Sequence, residues 1–313
     1  MASSASLASP VPRTRRRSAA GWMARHSGYL FVVPMLLYTL ALTVYPIAVN
    51  LQMSVYDVTV STFLKGGAAF VWFDNYLKLL HDPAFIKATL LSLAFTISSI
   101  CLQFTFGFAL ALFFNKPFPG NGLMRALLLL AWLLPSVVVG NIFRWMLDGD
   151  YGPLNYFLHV VGLMPDKQYW LLNPGTALLG VILANAWVGI PFNMMLLLAG
   201  LQNIPVTLYE AASIDGAGPL QRFISITLPQ MRAVALGVLL LTFIYTFKVF
   251  DLVYIMTKGG PVDATTVLPI YTFKLTFDFF RFGDGAAAST LLLLGLLVLA
   301  LGYSRLIRDE EAA

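Results

Sequence analysis

Charge and cysteine are what this sequence has least of. Asp, Glu, Lys and Arg make up 11% of its 313 residues, less than half the share of about 25% carried by soluble globular domains. Cys101 is the only cysteine, which excludes an intrachain disulfide and a thiolate-built metal cluster. The three histidines, His26, His81 and His159, are scattered, so neither a metal site nor a catalytic base is indicated. No lysine is followed by Ser or Thr. The phosphate-cradling loop ending in Gly-Lys-Ser/Thr is therefore missing, and any ATP must be hydrolysed elsewhere. An intramembrane enzyme would need a nucleophile with a base, or a metal-ligand set such as His-Glu-x-x-His, and neither is present. The expectation is a non-catalytic chain with no metal and no cofactor of its own.

What is abundant is apolar length: 58% of the residues are hydrophobic. Six runs reach the roughly 20 residues needed to cross a hydrocarbon core as a helix. They cover residues 29–49, 89–114, 123–145, 176–200, 234–256 and 286–304. A membrane β-barrel would alternate apolar and polar residues in ten-residue segments, whereas these runs are apolar all round. The fold class expected is all-α, a polytopic membrane protein of six transmembrane helices. Pro34, Pro135 and Pro191 interrupt three of the runs and mark expected kinks, placed where neighbouring helices or a cavity satisfy the freed backbone.

The net charge of +5 follows topology rather than pointing to nucleic acid. Arg13, Arg15, Arg16, Arg17 and Arg25 crowd before the first run, and summed over the segments that share its side the basic residues outnumber the acidic ones by eleven to five. By the positive-inside rule both termini are expected in the cytoplasm. Residues 1–27 read as a basic, disordered cytoplasmic tail before an uncleaved first helix. The membrane domain is expected over 28–308, with a C-terminal cytoplasmic tail at 309–313. The external loops 50–87 and 257–285 are expected to carry short helices or a strand at the membrane surface.

The most informative stretch is the cytoplasmic segment 201–232. A helix is expected over 206–214, after Pro205. Gly216 and Gly218 break it, a second short helix covers 219–226, and Pro229 separates that from the fifth run. Glu210, Ala211 and Ala212, then Gly216 after three residues, then Ile226, Thr227, Leu228 and Pro229 resemble the EAA loop of ABC importer permeases, spacing included. Alanines allow close approach, Gly216 supplies a turn backbone that other residues resist, and Glu210 offers a carboxylate to a basic partner group. The run Phe247-Lys248-Val249-Phe250-Asp251-Leu252, then Met256-Thr257 and Gly259-Gly260-Pro261, is similar to the corresponding region of maltose and glycerol-3-phosphate type sugar permeases.

The resemblance implies the type I ABC importer permease fold in a bacterial inner membrane. It also implies the partners: a second homologous permease, two ATPase subunits that bind ATP and Mg, and an extracytoplasmic solute-binding protein, all meeting in membrane lipid. The residues facing the ATPase would be Glu210, Ala211, Ala212, Asp215, Gly216, Ile226, Leu228 and Pro229. The function implied is uptake of a carbohydrate by alternating access, a disaccharide such as trehalose or a maltose-like sugar being favoured. Positions matching the family's sugar contacts are Trp132 and Ser136 in the third run, Asn185 and Gly189 in the fourth, and Thr242, Thr246 and Val249 in the fifth. Thr246 and Val249 stand where the maltose permease has amides, so the hydrogen bonding differs there. Polar groups inside a membrane are costly enough to be functional candidates in their own right, although Thr242 and Thr246 can equally bond to their own backbone. Lys248 and Asp251, three apart, most simply pair or reach for the interface. An ion-coupled carrier is the alternative; it would call for buried coupling carboxylates, and Asp251 is the only clear intramembrane acid.

Overall fold

The computed structural model describes Tyr29, residues 32–164 and residues 166–311; the basic tail expected over 1–27 lies outside them. The described chain is helical, with only the isolated bridges Tyr56 to Phe70 and Thr59 to Arg281. It divides into two units, Met1–Asn50 and Leu51–Ala313. The first holds most of α1 (Val32–Ser54), whose helix widens to a π-turn at Leu40–Val44. Thr39 Oγ1 bonds back to the Met35 carbonyl at 2.9 Å.

The second unit carries the remaining spans. Asp82 opens α4 (Pro83–Phe114): its carboxylate accepts from the Ala84 N–H at 2.9 Å and Pro83 fills a first-turn position that needs no donor. At the other end, Asn121 Nδ2 donates to the carbonyls of Phe114 and Lys116 at 3.0 and 2.7 Å, groups the helix leaves unpaired. The short helices before it are α2 (Val60–Lys65) and α3 (Asp74–His81).

The third run is not one straight helix. It forms α5 (Asn121–Leu133) and α6 (Ser136–Met146), bent by 93°. Leu134, at φ −68° and ψ 137°, is extended because the following Pro135 ring bars the helical conformation. After α7 (Pro153–Val160) comes α8 (Ala177–Gln202), which runs unbroken through Pro191. Among the described residues there are thus five helices long and apolar enough to cross a membrane, or six with the bent pair counted as one span.

The cytoplasmic-loop expectation also needs correcting at one point. α9 (Val206–Ile214) forms as read, and Gly216 takes φ +80° after it. The second helix, however, is continuous with the fifth span as α10 (Pro219–Phe247). Phe223–Thr227 is a π-turn in which the Leu228 N–H reaches the Phe223 carbonyl. That wider turn gives the Pro229 ring the room a regular helix denies it. The fifth span also ends early, at Phe247, and the chain re-forms as α11 (Asp251–Thr257). Lys248 and Asp251 flank the break as a cation beyond a C-terminus and a carboxylate in a first turn, each complementing a helix dipole. Among the described residues no ion pair joins them; Lys248 Nζ lies 5.0 Å over the Tyr245 ring. The last loop holds α12 (Leu268–Phe273), and α13 (Phe282–Glu311) closes the chain, its helix running three residues into the stretch read as a tail.

α4 and α8 make the most extensive helix contact, and α5, α10 and α11 pack against α8. Lipid gives no hydrophobic drive for this, so close backbone approach must supply the attraction. Gly107 provides it: a Cβ there would stand 2.8 Å from Asn193 Cβ and 3.1 Å from the Met194 nitrogen. Among the described residues three apolar clusters fill the bundle. One, with Phe85, Leu268 and Ala287, joins α4 to α12 and α13; the other two follow α4 and α8, the first gathering Phe95, Val139, Val181 and Val253, the second, further along, Ala111, Met194, Leu197 and Met231.

Candidate functional site

Between the two clusters along α4 and α8 the interior turns polar. Gln103 on α4, Asn193 on α8 and Thr242 on α10 are buried, at 3%, 0% and 2% exposure. Thr242 Oγ1 donates to Asn193 Oδ1 at 2.9 Å, and Asn193 Nδ2 donates to the Gly189 carbonyl at 3.0 Å and to Gln103 Oε1 at 3.4 Å. Gln103 Nε2 donates to the Asn185 carbonyl at 3.2 Å. Three spans are thereby joined by side-chain amides and a hydroxyl, groups that must find partners in a medium without water.

A cavity of about 260 Å³ opens on this network. Asn185, Gly189, Thr242, Thr246, Val249 and Trp132, six of the seven positions singled out in the sequence, line it together. Ser136 does not; it starts α6 beyond the Pro135 bend and is exposed. Val249 reaches the cavity from the break after α10 rather than from the fifth span itself. Asn185 is 7% exposed and its Nδ2 has no partner among the described residues, leaving a buried donor on the cavity wall. One side is aromatic: Trp132 stacks on Phe192 at 5.3 Å between centroids, and Phe192 meets Tyr245 edge-on at 6.0 Å. Such faces suit the C–H surface of a sugar ring while amides take its hydroxyls. Gln103, Val188, Phe192 and Tyr245 complete the lining. Sequence reading missed all four, although an amide midway along an apolar run was a usable signal for Gln103.

Larger hollows lie among loops. One of about 420 Å³ is bounded by Arg144, Asp148, Tyr169 and Lys258, another of about 630 Å³ by Tyr151, Tyr156 and His159. The Asp148 carboxylate accepts the Tyr151 and Asp150 N–H groups at 2.9 Å, which hold its carboxyl below the usual range. In the last loop Lys274 donates to Asp263 at 2.7 Å and likewise lowers the Asp263 carboxyl.

Far along α10 from the cavity is the 201–232 segment. Glu210, Ala211, Asp215, Gly216, Leu228 and Pro229 are exposed, Ala212 and Ile226 half-buried. Exposed apolar side chains surround them: Ile214 at 87%, Leu220 at 70% and Val206 at 67%. The segment is fixed to the bundle rather than hanging from it. Tyr209 OH and Thr227 Oγ1 are 2.9 Å apart, and Arg222 Nη1 donates to Ser213 Oγ at 2.7 Å. α9 is thus tied to the first turns of α10.

Known proteins place this architecture. The permease protein MalF of the trehalose/maltose transport system of Thermococcus litoralis is 36% identical over 90% of this chain and 95% of its own length. The permease protein SmoG of the sulfoquinovosyl glycerol transport system of Agrobacterium fabrum is 33% identical over 90% of both. A crystal structure of a bacterial ABC transporter involved in import of the acidic polysaccharide alginate superposes with a TM-score of 0.79, covering 93% of this chain and 98% of that one at 23% identity. The fold is that of a type I ABC importer permease. Residues 103–308, from Gln103 in the polar network to the last helix, match the family as well, so the chain belongs to the binding-protein-dependent transport system inner membrane components.

Proposed function

We propose that this chain is a translocation subunit of an ATP-driven importer that passes a saccharide, a disaccharide such as trehalose or maltose, to the cytoplasm by alternating access. The observation that carries the reading is the course of α10. One continuous helix bears Leu228 and Pro229 beside the exposed α9 segment and, further on, Thr242 and Thr246 in the cavity wall. A push at the docking segment therefore moves the cavity wall.

In this reading two ATPase subunits grip the patch around Glu210, Ala211, Ala212, Asp215 and Gly216, and their closure on ATP and Mg supplies the differential energy between outward and inward states. A second permease completes the cavity, and a solute-binding protein delivers to the loop face opposite. Asn185, Gly189, Thr242, Thr246, Val249 and Trp132 surround the solute. The names of the relatives, two of them transporters of sugar-containing solutes and one an importer of a polysaccharide, support the solute class. An ion-coupled carrier would need a carboxylate at the site, and none lines the cavity.

The test is co-purification from the native membrane followed by an ATPase assay with trehalose or maltose and the solute-binding protein. Wild type is expected to bring down an ATPase stimulated by one of these sugars, and Gly216→Pro to lose the ATPase or its stimulation. Uptake that follows an ion gradient with no associated ATPase would replace this reading with the carrier.

A further inference from the structure

Gly189 lines the cavity, yet it has no side chain to offer a solute. A Cβ at this position would overlap the Gln103 carboxamide at its carbon, oxygen and nitrogen together. The glycine is therefore the opening through which an amide from α4 reaches the face of α8. Gln103 has few other ways to be satisfied: it is 97% out of contact with solvent, being 3% exposed, and its two bonds are long, 3.2 Å to the Asn185 carbonyl and 3.4 Å from Asn193 Nδ2. A carboxamide carries two donor hydrogens and two acceptor lone pairs, so one of each is unspent beside the cavity. Next to it stands the unpartnered Asn185 Nδ2.

We propose that Gln103, with Asn185, forms the polar floor of the solute cavity and discriminates among saccharides by the hydroxyls they present, and that residue 189 is glycine to admit this carboxamide rather than to touch solute. The inference rests on the saccharide-importer reading. Discrimination follows because a site built to bond a hydroxyl leaves its own buried groups unpaired when the hydroxyl is missing or misplaced, which penalises the wrong solute more than an apolar pocket can. Asn193 and Thr242 serve as positioning residues: they hold Oε1 in place from behind.

The experiment is uptake of labelled trehalose and maltose, in competition, by proteoliposomes holding the intact importer with excess solute-binding protein and ATP. That protein is the same in every sample, so a change in the ratio of the two sugars belongs to the membrane cavity. Gln103→Leu is expected to lower uptake about tenfold, the worth of one to two hydrogen bonds, and to shift the trehalose-to-maltose ratio by about threefold or more. Gly189→Ala should give the same signature, and Gln103→Ala added to Gly189→Ala should cost nothing further, because the amide is already displaced. Gln103→Asn, which keeps the amide one methylene short, should fall between.

Several results would overturn the proposal: an unchanged ratio in Gln103→Leu and Gln103→Asn, multiplied losses in the double variant, or failure of both Gln103 variants to assemble, which assigns the side chain to packing alone. If wild type takes up neither sugar while its ATPase remains associated, the disaccharide reading falls first and this inference with it.

Discussion

Asn185 is the residue where stability and function pull apart. Its buried, unpartnered Nδ2 costs the empty protein about 1–3 kcal/mol. Asn185→Leu should therefore raise the thermal unfolding temperature of the purified complex while lowering disaccharide uptake about tenfold; loss of stability together with uptake would make the amide structural. Thr242 is the opposite case, since its hydroxyl is spent on Asn193. Thr242→Val should cost about 0.6 kcal/mol, the average for interhelical bonds in lipid, read from the same melting curve. In the last loop, Lys274 lowers the Asp263 carboxyl. A depressed carboxyl contributes order that is complete above its unfolded pKa of about 3.9 and is lost as pH falls through the lower folded value. A spin label at Val262→Cys should accordingly stay immobile from pH 7 to about pH 4 and loosen below, whereas adding Asp263→Asn should loosen it at every pH. Of these residues, Asn185 and Thr242 were legible as polar letters in apolar runs. That one is unpaired and the other paired was not, because pairing depends on a third helix.

At the scale of elements, spans were legible and their breaks were only half so. Pro135 announced a kink, but a bend of 93° reflects both the proline and the packing of α5 and α6 against α8. Pro229 announced a helix end and produced none, since a π-turn absorbed it. The fifth span looked unbroken from its hydropathy, yet it stops at Phe247, where the chain turns to pack α11 against α6 and α8. The two glycines after α9 separate cleanly. Gly216 sits at φ +80°, where a side chain costs about 1–2 kcal/mol, while Gly218 sits at φ −71° with open space around it. Gly216→Ala is expected to cut sugar-stimulated ATP hydrolysis about tenfold and Gly218→Ala to leave it within about twofold; equal effects would mean that the backbone turn does not shape the docking surface.

For the molecule as a whole, the clustered basic residues predict an orientation with the 201–232 segment inside and the 257–285 loop outside. In a Cys101→Ser background, an impermeant maleimide added to intact cells should label Val262→Cys and should reach Asp215→Cys only after permeabilisation. The reverse pattern would invert the topology and remove the docking segment from the ATPase side. Reading the sequence alone was enough for the membrane, the helical class and the apolar runs, and it offered the 201–232 docking segment as an expectation. These rest on composition, length and short-range spacing, which a chain carries with it whatever its partners do. Packing between helices is what brings Gln103, Asn185, Gly189 and Thr242 to one cavity, leaves Ser136 outside it, and makes Gly189 vacant space for an amide 86 positions earlier in the chain. Those facts depend on how closely α4, α8 and α10 approach one another. In lipid that approach is set by the small residues and side-chain hydrogen bonds between helices, not by the apolar pattern along any one of them.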